Sequence, residues 1–269
     1  MWLRGLWLRA WRLPLLVVLL VYGLASALLA FPLIGESARR AQIAGWSRWL
    51  LRACGVQPIE LSPPAEGRLA DRGEGQMLLL NHLSWLDIFV IDALAPATFV
   101  AKSEIARWPL LGTLVAAVGT EFIERGRRHA VHRVIERLDA KLGAGTRVAV
   151  FPEGTTTDGR RLLPFHGNLA QAAINAGAPV VPVGLRYLDP AGQPSDVPLY
   201  IGDDHFLGTL WRIIGHPRLI AEVHVLPAIP PAEGLTRQAL VRLARESISG
   251  RLGLALEDKV PESLRVSRG

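Results

Sequence analysis

From residue 76 onward, short apolar runs alternate with longer segments of helical period. The runs at 77–81, 98–101, 120–124, 147–151, 179–187 and 219–226 are rich in Val, Ile, Leu and Phe and read as strands. Between and after them, 85–94, 104–117, 128–142, 167–176, 204–214 and 235–252 space their apolar residues as helices do. Strands that alternate with helices predict an α/β fold, a largely parallel sheet flanked by helices. In such sheets functional groups gather at the carboxyl ends of the strands. His82, Arg125 and Glu153 each follow a predicted strand end.

The first quarter of the chain has a different pattern. Between Arg12 and Glu36 runs LPLLVVLLVYGLASALLAFPLIG, without a charged residue. About 20 apolar residues cross a bilayer as a helix. The run is too long for the apolar part of a typical secretory leader, and no clear cleavage site follows it. Pro14 is tolerated in a first turn, and Pro32 predicts a break near the far end. Residues 37–54 form a second candidate helix, with Ile43, Trp46, Trp49, Leu50 and Ala53 at helical spacing among arginines. A basic, Trp-bearing amphipathic helix suits a membrane interface, with a soluble helix packed on the domain as the plainer alternative. A full span and a two-helix arm lying on one leaflet both remain open.

Charge sharpens this picture. Residues 1–52 hold seven arginines and one acid, which accounts for the whole net charge of +6. The remainder balances, so the basic character belongs to a membrane-proximal arm and points away from a nucleic-acid face. Arginines flank both ends of the apolar run, so they do not fix its topology. The single cysteine, Cys54, excludes an intrachain disulfide framework and agrees with a cytoplasm-facing domain. The expected organisation is an arm over 1–57, a Pro- and Gly-rich join over 58–75, part of it open to an edge strand, a catalytic domain over 76–253 and a polar tail over 254–269.

Candidate chemistry begins at NHLSWLD, residues 81–87. On one helix, His82 and Asp87 would point roughly 140° apart and could not meet. They meet if His82 closes a strand and Asp87 lies in the first turn of the next helix, with Ser84 as N-cap. A carboxylate in that turn is favoured by the helix dipole, and beside an imidazole it fixes the tautomer and raises the basicity. The pair predicts a general base.

Three further stretches stand out. In GTEFIERGRR (119–128), Arg125 follows a short strand, and a guanidinium suits bidentate capture of an anion. Salt bridges from this basic stretch to Glu121, Glu124 and Glu136 are the plainer alternative. In RVAVFPEGTTTDG (147–159), a strand runs into Glu153, Gly154 and a hydroxyl-rich loop whose N–H groups suit an anion or oxyanion. Glu153 would position substrate or backbone. In GAPVVPVGL (177–185), Pro182 inside a strand marks an edge or bulge.

Taken together, Asn81-His82-…-Asp87, Gly119-x-x-Phe122-Ile123-x-Arg125, Phe151-Pro152-Glu153-Gly154-Thr155 and Val181-Pro182-Val183 resemble, in order and spacing, the four blocks of the glycerolipid acyltransferase family. The resemblance covers roughly residues 75–190. It implies a membrane-associated O-acyltransferase of the bacterial inner membrane, facing the cytoplasm, without cofactor or metal. The donor would be acyl-carrier protein or acyl-CoA, and the acceptor 1-acylglycerol-3-phosphate. His82, oriented by Asp87, would deprotonate the acceptor hydroxyl. Arg125 would hold the head-group anion, with Glu153, Gly154 and Thr155 completing the acceptor site and Lys102 near it. Two departures bear on the head group. Thr156 stands where phosphate-using members often carry a basic residue, and His166 where a lysine is common. The EGTTTDG form is similar to the branch that acylates lyso-ornithine lipid, which makes that lipid the alternative acceptor. Arg160 and Arg161 are candidates to compensate for the missing charge.

Rival classes lack their signatures. Ser84 lies close to His82, but no Gly-x-Ser-x-Gly elbow supports a serine hydrolase. No His-Glu-x-x-His motif supports a metal hydrolase. A non-catalytic membrane-binding module would need neither the His82–Asp87 pair nor the Glu153-Gly154 turn.

Overall fold

The computed structural model describes residues 2–73, 75–124, 128–202 and 204–261. The apolar run of the N-terminal segment forms α1 (Trp2–Ala25), continued by one π-helical turn (Ser26–Ala30). After Pro32 the chain reverses into α2 (Glu36–Cys54), ended by Gly55 in the left-handed region at φ 74°. The two helices form a hairpin: Trp46 Nε1 donates to the Leu19 carbonyl at 2.8 Å, and Gln42 Nε2 to Ser26 Oγ at 2.7 Å. One face of α1 lies on the globular body. There Arg12 donates to the carbonyls of Ile214, His216 and Pro217. The opposite face, with Trp7, Val17, Val18, Val21 and Tyr22, is exposed and apolar.

The chain then builds the domain. In order come β1 (Val56–Leu61), β2 (Met77–Leu80), α3 (Leu86–Leu94), β3 (Thr98–Lys102), α4 (Leu111–Ala117), β4 (Glu121–Ile123), α5 (Arg128–Gly143) and β5 (Val148–Val150). They are followed by β6 (Arg161–Leu162), α6 (Gln171–Asn175), β7 (Val180–Leu188), α7 (Phe206–Ile214), β8 (Leu219–Val225), α8 (Arg237–Leu252) and β9 (Ala255–Leu256). Seven strands form one sheet in the order β1-β8-β7-β2-β5-β3-β4. All its pairs are parallel except β7–β8.

Both faces of the sheet are covered, and β2 shows why its strand reads as a continuous apolar run. Leu78 and Leu80 enter the core shared with α2, α3 and α7, whereas Met77 and Leu79 enter the core shared with α5, α6 and α8. Alternation is present, but both sides are dry. The expected α/β class, a largely parallel sheet flanked by helices with an apolar helical arm at the N-terminus, is the architecture observed.

Several boundaries differ from the sequence pattern. Residues 58–61, expected in the join, belong to β1. This is an edge strand, where Pro58 deprives the sheet of no central hydrogen bond. The helix expected over 104–117 is divided. A 3₁₀ segment (Ser103–Arg107) precedes Pro109, Leu110 takes φ 63°, and α4 starts after it. The helix expected over 167–176 shrinks to the five residues of α6. In the expected tail, β9 pairs with β6. Pro182 lies in an interior strand, at a bulge as its sequence signal predicts: Val183 faces Val225 but Val180 faces Ile229, so the opposing segment carries one extra residue across it. Its carbonyl accepts the Leu226 N–H at 3.0 Å, and N and C=O of one strand residue point the same way. The missing N–H therefore faces the flank where β8 has already ended.

Candidate active site

The last paired residue of β2 is Leu80, opposite Val183 of β7. Asn81 extends the ladder with its side chain. Its Nδ2 donates to the Leu185 carbonyl at 2.9 Å and its Oδ1 accepts the Leu185 N–H at 2.7 Å. His82 therefore starts from a fixed point at the carboxyl end of the strand.

His82 and Asp87 meet as the spacing requires. Nδ1 lies 2.8 Å from Asp87 Oδ2. The same oxygen accepts the N–H groups of Leu83 at 2.7 Å and Ser84 at 3.0 Å. Oδ1 accepts the Tyr187 hydroxyl at 2.7 Å. Four donors converge on two oxygens inside the core, an arrangement only a carboxylate accommodates without a hydrogen clash. Ser84 Oγ accepts the Leu86 N–H at 3.3 Å while Asp87 reaches back to Ser84, a reciprocal cap that starts α3. Trp85 is already helical, one residue ahead of the assigned helix.

The imidazole stacks on Phe151, with ring centroids 3.9 Å apart and an 18° interplanar angle. With Nδ1–H turned to the carboxylate, the lone pair sits on Nε2. The His82 side chain is 20% exposed, whereas Asp87 is fully buried. An inward carboxylate thus orients an imidazole that remains reachable.

Glu153 is 2% exposed. Its Oε1 accepts the His82 N–H at 2.9 Å and its Oε2 the Leu163 N–H at 3.0 Å. Of the two roles expected, positioning substrate or backbone, the geometry has the second: both oxygens face the chain. Burial pushes this carboxyl up to about 8, against the two backbone donors and Arg245, which pull it down.

Gly154 takes φ 71°, a conformation that favours glycine. Its N–H, expected to face an anion, closes a turn on the Phe151 carbonyl at 3.1 Å. Thr155 is half-buried in the loop that follows. Thr156 Oγ1 donates to the Tyr200 carbonyl, and the Thr157 N–H to the His82 carbonyl at 2.8 Å. At Gly159 a Cβ would come within 3.1 Å of Leu83.

Lys102 ends β3, opposite Ile123 of β4, and so lies at the same carboxyl edge as His82. Arg125 lies outside the described residues. The strand before it, β4, stands three positions from β2 in the sheet, about 14 Å at about 4.8 Å per strand. Glu121 pairs with Arg137 and Lys141 from the far part of α5. The candidate compensating cations are engaged elsewhere: Arg160 with Asp196 at 3.0 Å and Arg161 with Glu257 at 2.9 Å. His166 is exposed, and its N–H donates to the Pro152 carbonyl at 2.8 Å.

Sequence reasoning missed three contributors. Tyr187 comes from a strand 100 positions further along the chain and is a hydroxyl at the end of the apolar stripe Val181, Val183, Leu185. Asn81 acts through β7. The segment around Tyr200 binds both loops, its N–H donating to the Leu83 carbonyl at 3.0 Å. Between this segment and the 155–160 loop lies a cleft of about 240 Å³, lined by Asp158, Arg160, Asp196, Asp204 and Arg212 among others.

Comparison with known proteins agrees with this geometry. Residues 56–186 match the family described as Acyltransferase. The chain is 37% identical over 209 residues to a lyso-ornithine lipid O-acyltransferase of Pseudomonas aeruginosa, covering 78% of each protein. It is 38% identical over 213 residues to a 1-acyl-sn-glycerol-3-phosphate acyltransferase of Neisseria meningitidis, covering 79% of this chain and 81% of that protein. Its fold is similar to the crystal structure of the 1-acyl-sn-glycerophosphate acyltransferase PlsC from Thermotoga maritima. The TM-score is 0.68 at 21% identity, over 93% of this chain and 95% of that one. The chain belongs to this acyltransferase family.

Proposed function

We propose that this lysolipid acyltransferase moves a fatty acyl group from a thioester, on acyl-carrier protein or coenzyme A, to the free hydroxyl of 1-acylglycerol-3-phosphate. The product is phosphatidate. The observation that carries the reading is the His82 Nδ1–Asp87 Oδ2 contact of 2.8 Å at the carboxyl edge of the sheet. Nε2 takes the acceptor's hydroxyl proton while the oxygen attacks the thioester carbonyl. The tetrahedral intermediate expels the thiolate, which recovers the proton from the imidazolium. Asp87 offsets the imidazolium charge between these steps. Lys102 and Arg125 attract the acceptor's phosphate, with Gly154 and Thr155 lining the same side and Glu153 holding the His82 backbone.

The arm supports a membrane setting. Arg12 ties the middle of α1 to the domain, so the exposed apolar face of α1 would sink into one leaflet. We place the enzyme on the cytoplasmic side of a bacterial inner membrane. Replacing Val17, Val18 and Val21 together by Asp should move it from the membrane pellet to the supernatant. Retention in the pellet would mean the anchor lies elsewhere.

One observation favours lyso-ornithine lipid instead. Thr156 is tied to Tyr200, Arg160 and Arg212 pair with Asp196 and Asp204, and Asp158 gives the neighbouring cleft one more carboxylate than it has arginines. That lining suits an amine-bearing head group better than a phosphate. The deciding experiment gives membranes carrying wild type or His82→Ala a labelled acyl donor plus lysophosphatidate or lyso-ornithine lipid. Product from lysophosphatidate with wild type only supports the first reading, and product from lyso-ornithine lipid only supports the second. Equal turnover by His82→Ala would remove the base.

A further inference from the structure

We propose that Tyr187 is a positioning residue for acyl transfer, acting on His82 through the second oxygen of Asp87. The proposal rests on the reading of His82 as the general base.

The geometry is that of a clamp. β7 grips the turn between β2 and α3 at both ends, with two residues that share one face of the strand. At the start of the turn, the Leu185 backbone makes two hydrogen bonds with the Asn81 amide, at 2.9 and 2.7 Å. At its end, the Tyr187 hydroxyl donates to Asp87 Oδ1 at 2.7 Å. Tyr187 is 4% exposed and lies in the same core as α3. Oδ2 is already saturated by His82, Leu83 and Ser84. The hydroxyl thus fixes the rotation of the carboxylate plane, since turning Oδ1 away from Tyr187 also pulls Oδ2 off its three donors.

The contact also sets how strongly Asp87 holds the imidazolium. A donor at Oδ1 stabilises the carboxylate most when His82 is neutral, because an imidazolium otherwise offsets that charge. Removing that donor leaves more of the carboxylate's charge to act on the imidazole. Burial, and then the charge of Asp87, raise the phenol well above its usual range, so it remains an O–H donor wherever the enzyme works. The other titratable groups around the pair are Glu153 after β5 and Cys54 at the end of α2, with Arg12 beside Cys54.

The test uses the full-length enzyme in detergent micelles with the lysolipid it turns over. Tyr187→Phe should lower kcat about 10-fold with little change in acceptor KM, and should move the acidic limb of the kcat profile up by about one pH unit. Val223→Ala, which removes buried volume from the neighbouring strand of the same core, should lower stability without moving that limb. Should Tyr187→Phe fail to fold, 3-fluorotyrosine at position 187 keeps the shape and strengthens the donor, and the limb should move down. A limb that stays in place in either Tyr187 variant overturns the proposal. His82→Ala separates the two failures. If it is inactive while the Tyr187 variants leave the limb unmoved, the base stands and only the clamp falls. If it keeps wild-type turnover, the base reading itself falls.

Discussion

Two connections leave the same edge of the sheet, and they are built in opposite ways. The turn after β2 is tied inward: Asn81 to β7, the His82 N–H to Glu153, and Asp87 to His82, Leu83, Ser84 and Tyr187. Beyond Glu153 and Thr157, which hold the His82 backbone, the loop after β5 is tied sideways, to other loops. Thr156 binds Tyr200, the Asp158 carboxylate accepts the Arg160 N–H, and Arg160 pairs with exposed Asp196. The first holds the His82 imidazole, the proposed base, by embedding its partners in the core. The second presents charged groups to a solvent-facing cleft, where substitution costs little stability. On the proposed function, the fold separates the proton-transfer step from the surface that would tell acceptors apart.

The largest effect should come from the inward turn. Asp87→Asn keeps size but loses the charge that offsets the imidazolium, and it sets an NH₂ group against one or more of the four donors. Turnover should fall by about 100-fold or more. Loss below about tenfold in a folded variant would mean that Asp87 serves the fold and not the base. Asn81→Ala is next. It leaves both backbone groups of Leu185 without a partner at the strand end, for roughly 1–3 kcal/mol of stability. kcat should fall about tenfold while acceptor KM holds. A change confined to KM would place the turn in recognition and erase the contrast between the two connections.

The sideways loop should respond in the other parameter. Thr156→Arg adds a cation at the position now tied to Tyr200. It should lower the apparent KM for lysophosphatidate relative to lyso-ornithine lipid by up to about tenfold, the scale of one charge-assisted contact. kcat should change little. Unchanged discrimination between the two acceptors would show that the loop does not read the head group.

Legibility in the sequence follows the same division. Local rules reached the His82–Asp87 contact, because a strand end followed by a helix start leaves one way for a five-residue spacing to close. The apolar runs gave the strands, since both faces of the sheet are covered. Tyr187 and the Asn81–Leu185 pairing stayed hidden, because each joins residues about a hundred positions apart and each partner looks ordinary in its own strand. β1 was legible only in part, as an edge strand within the join, because Pro58 is harmless only at an edge, a fact of strand order. The two-residue strands β6 and β9 carry no periodicity at all. Glu153 was visible as chemistry but ambiguous in role, since a sequence does not tell a carboxylate facing substrate from one facing two backbone amides.

The smallest expected effect tests that last residue and the link between the two connections. Glu153 stands in one and holds the other through the His82 N–H. Burial raises its carboxyl from the ordinary 4.5 to about 8. A raised acid keeps its proton in the native state after the unfolded chain has released it. Its contribution to stability is therefore full below about pH 4.5, declines as pH rises and levels off above about 8. Glu153→Gln cannot titrate. The difference in unfolding midpoint between wild type and Glu153→Gln, followed in detergent at pH 5, 6.5 and 8, should shift steadily against the wild type. A difference that stays flat would mean that the two N–H donors keep Glu153 charged throughout. Its grip on His82 would then be that of a carboxylate accepting both amides at every pH, and the two connections would be bound more tightly than burial alone allows.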